Sequence, residues 1–211
     1  MKLEQVKAIV TGGASGMGRY FCEQLVAGGA KVTIADVDGE GAAALAKELG
    51  AAAVAATCDV SDEASVTALI ATASKAMGGL NVLVNNAGIF RDGLLVKQDR
   101  ETGAVSKMSL PQWQKVIDVD LTGPFLCTRE FAAHVIENKQ APAVVVNMSS
   151  VARHGNRGQS NYSAAKAGLV ADTKLWGVEL ARFGIRVGAI APGFIDTPIL
   201  QGMRDDVLAG L

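Results

Sequence analysis

Six short, largely apolar runs alternate with segments of helical periodicity, and this alternation leaves the chain few folds to choose from. The runs are KAIVT (7–11), KVTIAD (31–36), AVAATCDV (53–60), LNVLVNN (80–86), AVVVNMSS (143–150) and IRVGAIAP (185–192). Short apolar runs rich in β-branched residues and closed by turn formers read as buried strands. Helical patterns fill 17–29, 39–50, 61–77, 109–137 and 162–184. Ser61 is placed to cap the third helix, and Ser109 with Gln112 forms a capping-box signature for one long fourth helix. Strands apolar on both faces need helices on both sides of a parallel sheet. Right-handed crossovers then wind the chain into a doubly wound α/β sheet. No linker or repeat divides residues 1–211, so one domain is expected. The polar segment 90–108 lacks a period and is expected to be a mobile loop.

Charge and composition exclude several function classes. Lys and Arg number 20 against 21 Asp and Glu, a formal net charge of -1, which offers no electrostatic grip on nucleic acid or anionic membrane. Aromatic residues are 5% of the chain, too few for base-stacking platforms. No apolar stretch approaches the roughly 20 residues of a membrane span, and MKLEQVKAIVTGG is not a signal peptide. Cys22, Cys58 and Cys127 show no CxxC spacing and fit reduced, buried thiols of a cytoplasmic protein. His134 and His154 belong to no metal-ligand pattern, so no metal is expected. Trp113 and Trp176 sit at helical positions suited to packing.

The first strand runs into TGGASGMG (11–18), and a helix follows. Gly12, Gly16 and Gly18 let the backbone turn tightly and approach a ligand. The helix start beyond Ser15, at Gly16 and Met17, offers free amides and a positive dipole end to a pyrophosphate. Asp36 closes the second strand, 20 residues after Gly16. A carboxylate there accepts hydrogen bonds from ribose hydroxyls and repels a 2′-phosphate. Neither Ser15 nor Val37 offsets that charge, so NAD rather than NADP is the expected cofactor.

NYSAAKAG (161–168) sets Tyr162 and Lys166 one helical turn apart on one face, among small residues. Free tyrosine titrates near ~10. A nearby ammonium stabilises the phenolate, so Lys166 is expected to make Tyr162 a better acid.

With these motifs in hand, the sequence resembles the short-chain dehydrogenase/reductase family, and within it 3-oxoacyl-[acyl-carrier-protein] reductase-like members. The resemblance spans TGGASGMG, CDV (58–60), NNAG (85–88), NMSS (147–150), YSAAK (162–166) and APGFIDTP (191–198), in the family's order. It implies a Rossmann fold. Asp59 and Val60 would flank the adenine, and Asn86, Ala87 and Gly88 would line the cofactor channel. Tyr162 would act as acid/base and Lys166 would bind the nicotinamide ribose. Pro192, Gly193, Ile195 and Thr197 would approach the nicotinamide.

Three departures from the family pattern stand out. Asp120 replaces the usual Asn before LTG, and a carboxylate near Lys166 would weaken the lysine's field on Tyr162. The site serine is either Ser149, by its spacing of thirteen to Tyr162, or Ser150, by strand register. Register fixes side-chain direction, which favours Ser150. Finally, relatives continue beyond GMRDDVLAGL to a seventh, edge strand, so a truncated C-terminus is expected.

The reading is an NAD-dependent oxidoreductase that moves a hydride between nicotinamide and a secondary alcohol or ketone, of 3-oxoacyl or 3-hydroxyacyl type. It would act as a cytoplasmic homo-oligomer on a small molecule. The alternative is an NAD-bound relative without redox turnover: a regulator or scaffold, or an isomerase or lyase. FIDTPIL (194–200) suggests a hydrophobic lid.

Overall fold

A computed structural model describes residues 1–193 and residue 195. Its main sheet contains β1 (Lys7–Thr11), β2 (Lys31–Asp36), β3 (Ala53–Thr57), β4 (Val82–Asn85), β7 (Ala143–Met148) and β8 (Ile185–Ile190). The remaining strands, β5 (Val96–Gln98) and β6 (Val105–Lys107), form a separate hairpin. The sheet order is β3-β2-β1-β4-β7-β8, with every pairing parallel. This is the doubly wound arrangement that the alternating pattern predicts. The order reverses between β1 and β4, which opens a crevice beyond their carboxyl ends.

Alternation along each strand feeds two cores. On β1, Ile9 joins Leu83, Val145 and Phe131 on one face, while Ala8 and Val10 join Val32, Ile34 and Leu45 on the other. The helices are α1 (Gly16–Ala27), α2 (Gly39–Leu49), α3 (Glu63–Met77), α4 (Leu110–Ile117), α5 (Gly123–Glu137) and α6 (Ser160–Ala181). Cys22 of α1 and Leu45 of α2 close one core. Val66 and Leu69 of α3 and Phe131 and Val135 of α5 close the other. All three cysteines are free and buried. Burial pushes the Cys22 thiol up to about 12 and raises Cys58 and Cys127 as well, so none is a ready nucleophile.

Three local expectations are corrected. The third helix is capped by Asp62, whose side chain accepts from the Ala64 amide, while Ser61 donates its hydroxyl to Asp59. The segment 90–108 contains the β5–β6 hairpin. Its turn is built by Asp99 Oδ1, which accepts from the Glu101 and Thr102 amides, with Gly103 at φ 71. The expected single helix over 109–137 is broken by a π turn at Asp118–Thr122, where the Gly123 amide reaches back five residues to the Asp118 carbonyl. Pro124 explains the break. It has no amide to offer the carbonyl four residues earlier, on Asp120, so regular α bonding cannot pass this point.

Candidate active site

The glycine turn grips its neighbours closely. Gly12 and Gly16 adopt φ 62 and φ 52, values a side chain disfavours. A Cβ on Gly12 would stand 2.8 Å from Ala87 Cα, and one on Gly18 only 2.0 Å from the Gly12 carbonyl oxygen. Thr11 ties this turn to the end of β4. Its Oγ1 accepts from the Asn86 and Ala87 amides at 3.0 and 3.1 Å, and Asn86 Nδ2 donates to the Thr11 and Gly12 carbonyls. Asn86 Oδ1 is left buried without a partner. The Ser15 side chain does not cap α1, so the first-turn amides remain open to a ligand. Asp36 steadies the turn from β2, accepting from the Ala14 amide at 2.9 Å and the Asp38 amide at 3.0 Å.

These residues border one half of a trough along the carboxyl ends of the strands. Gly12, Ser15, Gly16, Met17 and Asp36 line it on one side. Asp59, Val60, Asn86, Ala87 and Gly88 line it on the other, together with Lys115, which the sequence reading did not single out. Two hydrogen bonds from Ser61 hold the Asp59 carboxyl below the usual carboxylate range. Met17, Asn86 and Gly88 also border the second half, which contains Ser149, Ser150, Tyr162, Lys166, Pro192, Gly193 and Ile195. Gly18 lines neither half and acts as the packing glycine beneath the turn. Thr197 and most of the expected lid lie outside the described residues.

Gly18→Ala is therefore expected to damage binding and folding together. The added methyl meets backbone rather than a flexible side chain. Overpacking of this kind costs about 1–3 kcal/mol. Thermal unfolding should show the loss of stability, and cofactor titration should show affinity lowered by at least about tenfold for each 1.4 kcal/mol of distortion carried into the binding turn.

Helix α6 carries Tyr162 and Lys166 into the second half. Ser150 lines the same cavity as Tyr162, and its Oγ accepts from the Ala152 amide at 3.1 Å. Ser149 Oγ instead donates to the Lys166 carbonyl at 3.0 Å and is buried. The Tyr162 ring meets Phe90 edge-on, with centroids 4.6 Å apart. The Lys166 ammonium lies 5.3 Å from the Tyr162 ring centroid and donates to the Met148 carbonyl at 3.0 Å.

Asp120 lies beneath this pair, fully buried in the π turn, and lines no part of the trough. Its Oδ1 accepts from the Ile89 amide at 2.9 Å, and its Oδ2 is 3.1 Å from Lys166 Nζ. That contact is an ion pair off the line of a good hydrogen bond, since Oδ2 has no aligned donor. Burial raises the Asp120 carboxyl while the Lys166 ammonium opposes the rise.

The net effect on Tyr162 corrects the expectation of a more acidic phenol. Burial pushes it above its usual value. Lys166, and to a lesser degree the Ser150 hydroxyl, pull it down, while Asp120 and Asp92 push it up. In the protein alone, desolvation and the two carboxylates outweigh the ammonium.

Comparisons with known proteins identify the family and the fold. A family model described as short chain dehydrogenase matches residues 6–208. The chain belongs to that family. It is 40% identical over 202 residues to the 3-oxoacyl-[acyl-carrier-protein] reductase of Synechocystis, covering 93% of this chain and 77% of the relative. It is 38% identical to a (2S)-[(R)-hydroxy(phenyl)methyl]succinyl-CoA dehydrogenase subunit of Thauera aromatica, covering 94% and 77%. A crystal structure of 3-ketoacyl-(acyl-carrier-protein) reductase from Brucella melitensis complexed with NADH superimposes with TM-score 0.84 at 34% identity, covering 94% of this chain and 80% of that one.

Beyond the family motifs, the trough recruits side chains that no spacing rule marked. Gln159, buried at the cavity wall, donates to Asp92 at 2.9 Å and accepts from Asn156 at 2.9 Å. Asn161, one residue before Tyr162, donates to the Arg91 and Gln112 carbonyls. Under the floor, Asn85 Nδ2 donates to Asn147 Oδ1 at 2.8 Å and Asn147 Nδ2 to Thr173 at 2.9 Å, joining β4, β7 and α6. The polar run GQSNY is the one sequence signal that could have pointed to Gln159 and Asn161.

Proposed function

We propose that the protein is an NAD(H)-dependent oxidoreductase that interconverts a ketone and a secondary alcohol, with a 3-oxoacyl or 3-hydroxyacyl thioester as substrate. The observation that carries this is the trough itself, with Asp36 and the glycine turn at one end and Tyr162, Ser150 and Lys166 at the other. The residues fit a dinucleotide. The turn is a cradle that a Cβ would fill, the first amides of α1 are uncapped, and Asn86 Oδ1 is a buried acceptor without a donor. Glycines 12 and 16 and the α1 amides would hold the pyrophosphate, Asp36 the adenosine ribose, and Lys166 the other ribose. Bound nicotinamide supplies or accepts the hydride.

The remaining chemistry belongs to the chain. Tyr162 delivers its hydroxyl proton to the substrate oxygen during reduction and recovers it during oxidation. Ser150, in the same cavity, holds the same oxygen in place. Phe90, Val151 and Ile195 give the substrate end apolar walls that exclude water.

Asp36 supports NAD over NADP. Arg19 is the cation nearest in sequence to the glycine turn, and it is engaged by Glu23 at 2.7 Å and Glu48 at 2.8 Å. The thioester class draws on the relatives, whose names specify acyl-carrier-protein and CoA substrates. The reading includes a soluble homo-oligomer. Leu175 and Val178 on α6 and Ile190 on β8 expose apolar surface suited to a second copy.

The purified protein should oxidise NADH in the presence of a short 3-oxoacyl-CoA. Like-charge contact costs several kcal/mol, so NADPH should be at least about 100-fold poorer in kcat/KM. Asp36→Asn should bring the two cofactors within about tenfold. Absence of turnover with either cofactor, across 3-oxoacyl thioesters and secondary alcohols, overturns the reading.

A further inference from the structure

We propose that Asp120 is a positioning residue that holds the Lys166 ammonium in a buried ion pair and so withholds part of that charge from Tyr162. This rests on the reading of Tyr162 as the acid/base.

The pair is built into the fold. Asp120 is fully buried and Lys166 is 3% exposed, so both charges are largely removed from bulk water. The π turn sets the Asp120 side chain beneath α6, and the Ile89 amide fixes one carboxylate oxygen. The other oxygen has only the ammonium at 3.1 Å. Gly88 makes room, because a Cβ there would stand 2.8 Å from Asp120 Oδ2 and 3.5 Å from Lys166 Nζ. An ammonium has three donors. The Met148 carbonyl takes one, Asp120 is met as a charge without an aligned bond, and the ammonium also borders the trough.

Three charged groups act on the phenol. Lys166 comes from α6, Asp120 from the π turn and Asp92 from the loop after β4. Burial favours the neutral acid at both carboxyls, but Asp92 is tied only to the Gln159 amide, whereas Asp120 has an ammonium at 3.1 Å to hold its charge. Asp120 is thus the main charged group opposing Lys166. The ammonium favours the phenolate, Asp120 offsets part of that pull, and burial of the phenol then tips the balance to the neutral form. At neutral pH Tyr162 is then a proton donor, and oxidation of an alcohol accelerates only as the pH rises.

The test uses the fact that the chain has two tyrosines. In a Tyr20→Phe background, tyrosinate absorbance reports Tyr162 alone, and Tyr20 lies exposed on α1 outside the trough. Asp120→Asn keeps an acceptor for the Ile89 amide and removes the charge. Its tyrosinate curve should shift to lower pH by roughly one unit relative to the parent, within the range where circular dichroism shows both folded. The rise of NAD-linked oxidation with pH should move the same way. Should Asp120→Asn fail to fold, Asp120→Ser is judged by the same curve. Coincident curves, or a shift to higher pH, overturn the pairing. A lowered curve without turnover in any variant leaves the pairing standing and removes the acid/base reading instead.

Discussion

Tyr162→Phe is expected to reduce NAD-linked turnover by about 10²–10⁴-fold, the usual contribution of a positioned acid/base. The substitution removes one oxygen and little else. The ring keeps its edge contact with Phe90, and the Lys166 ammonium keeps its place 5.3 Å from the ring centroid. The glycine turn proposed to hold the cofactor lies in the other half of the trough, so NAD titration should return nearly the parent affinity. The diagnostic result is a collapse of kcat with binding preserved. Turnover within a few-fold of the parent would mean that another group moves the proton.

Phe131→Ala is expected to have the largest effect on stability. Phe131 is fully buried on α5, in the core that also holds Leu83, Val145 and Val135. Truncating a buried phenylalanine removes its transfer free energy and leaves a cavity, a loss of about 3–5 kcal/mol. For a chain of this size that lowers the melting temperature by roughly 10 °C. The effect should reach the site, because α5 directly follows the π turn that carries Asp120. Differential scanning calorimetry measures the loss. A shift of only a degree or two would mean that the core closes over the gap.

The sheet was legible because its central strands are buried on both faces and therefore largely apolar. Strand ends were not, since backbone bonding to side chains is invisible in the pattern. The third strand was expected to run to Val60, but Asp59 gives its amide to Ser65 Oγ and the chain leaves the ladder after Thr57. The hairpin escaped notice because its two strands are exposed on both faces and have no core to impose alternation. The π turn did leave a trace. Pro124 inside a helical run marks a break, and the apolar periodicity on either side masked it. At the site, the glycine turn, Asp36 and the Tyr162–Lys166 pair are local in sequence and were readable. The opposing charge of Asp120 was anticipated from its place before LTG, but the net balance on Tyr162 was not, because it depends on burial and on Asp92, which only the folded chain brings near.

The asparagines beneath the trough have a consequence for how its two halves stay matched. Asn85 and Asn147 are register partners on β4 and β7, and their amides bond directly across the strands. A slip of one residue would displace one strand by about 3.3 Å and strand both amides among hydrocarbon. The chain cannot sample that misalignment cheaply. The spacing between Asn86 at the tip of one strand and Ser150 just past the tip of the other is therefore fixed like the teeth of a ratchet, before any ligand arrives to measure it.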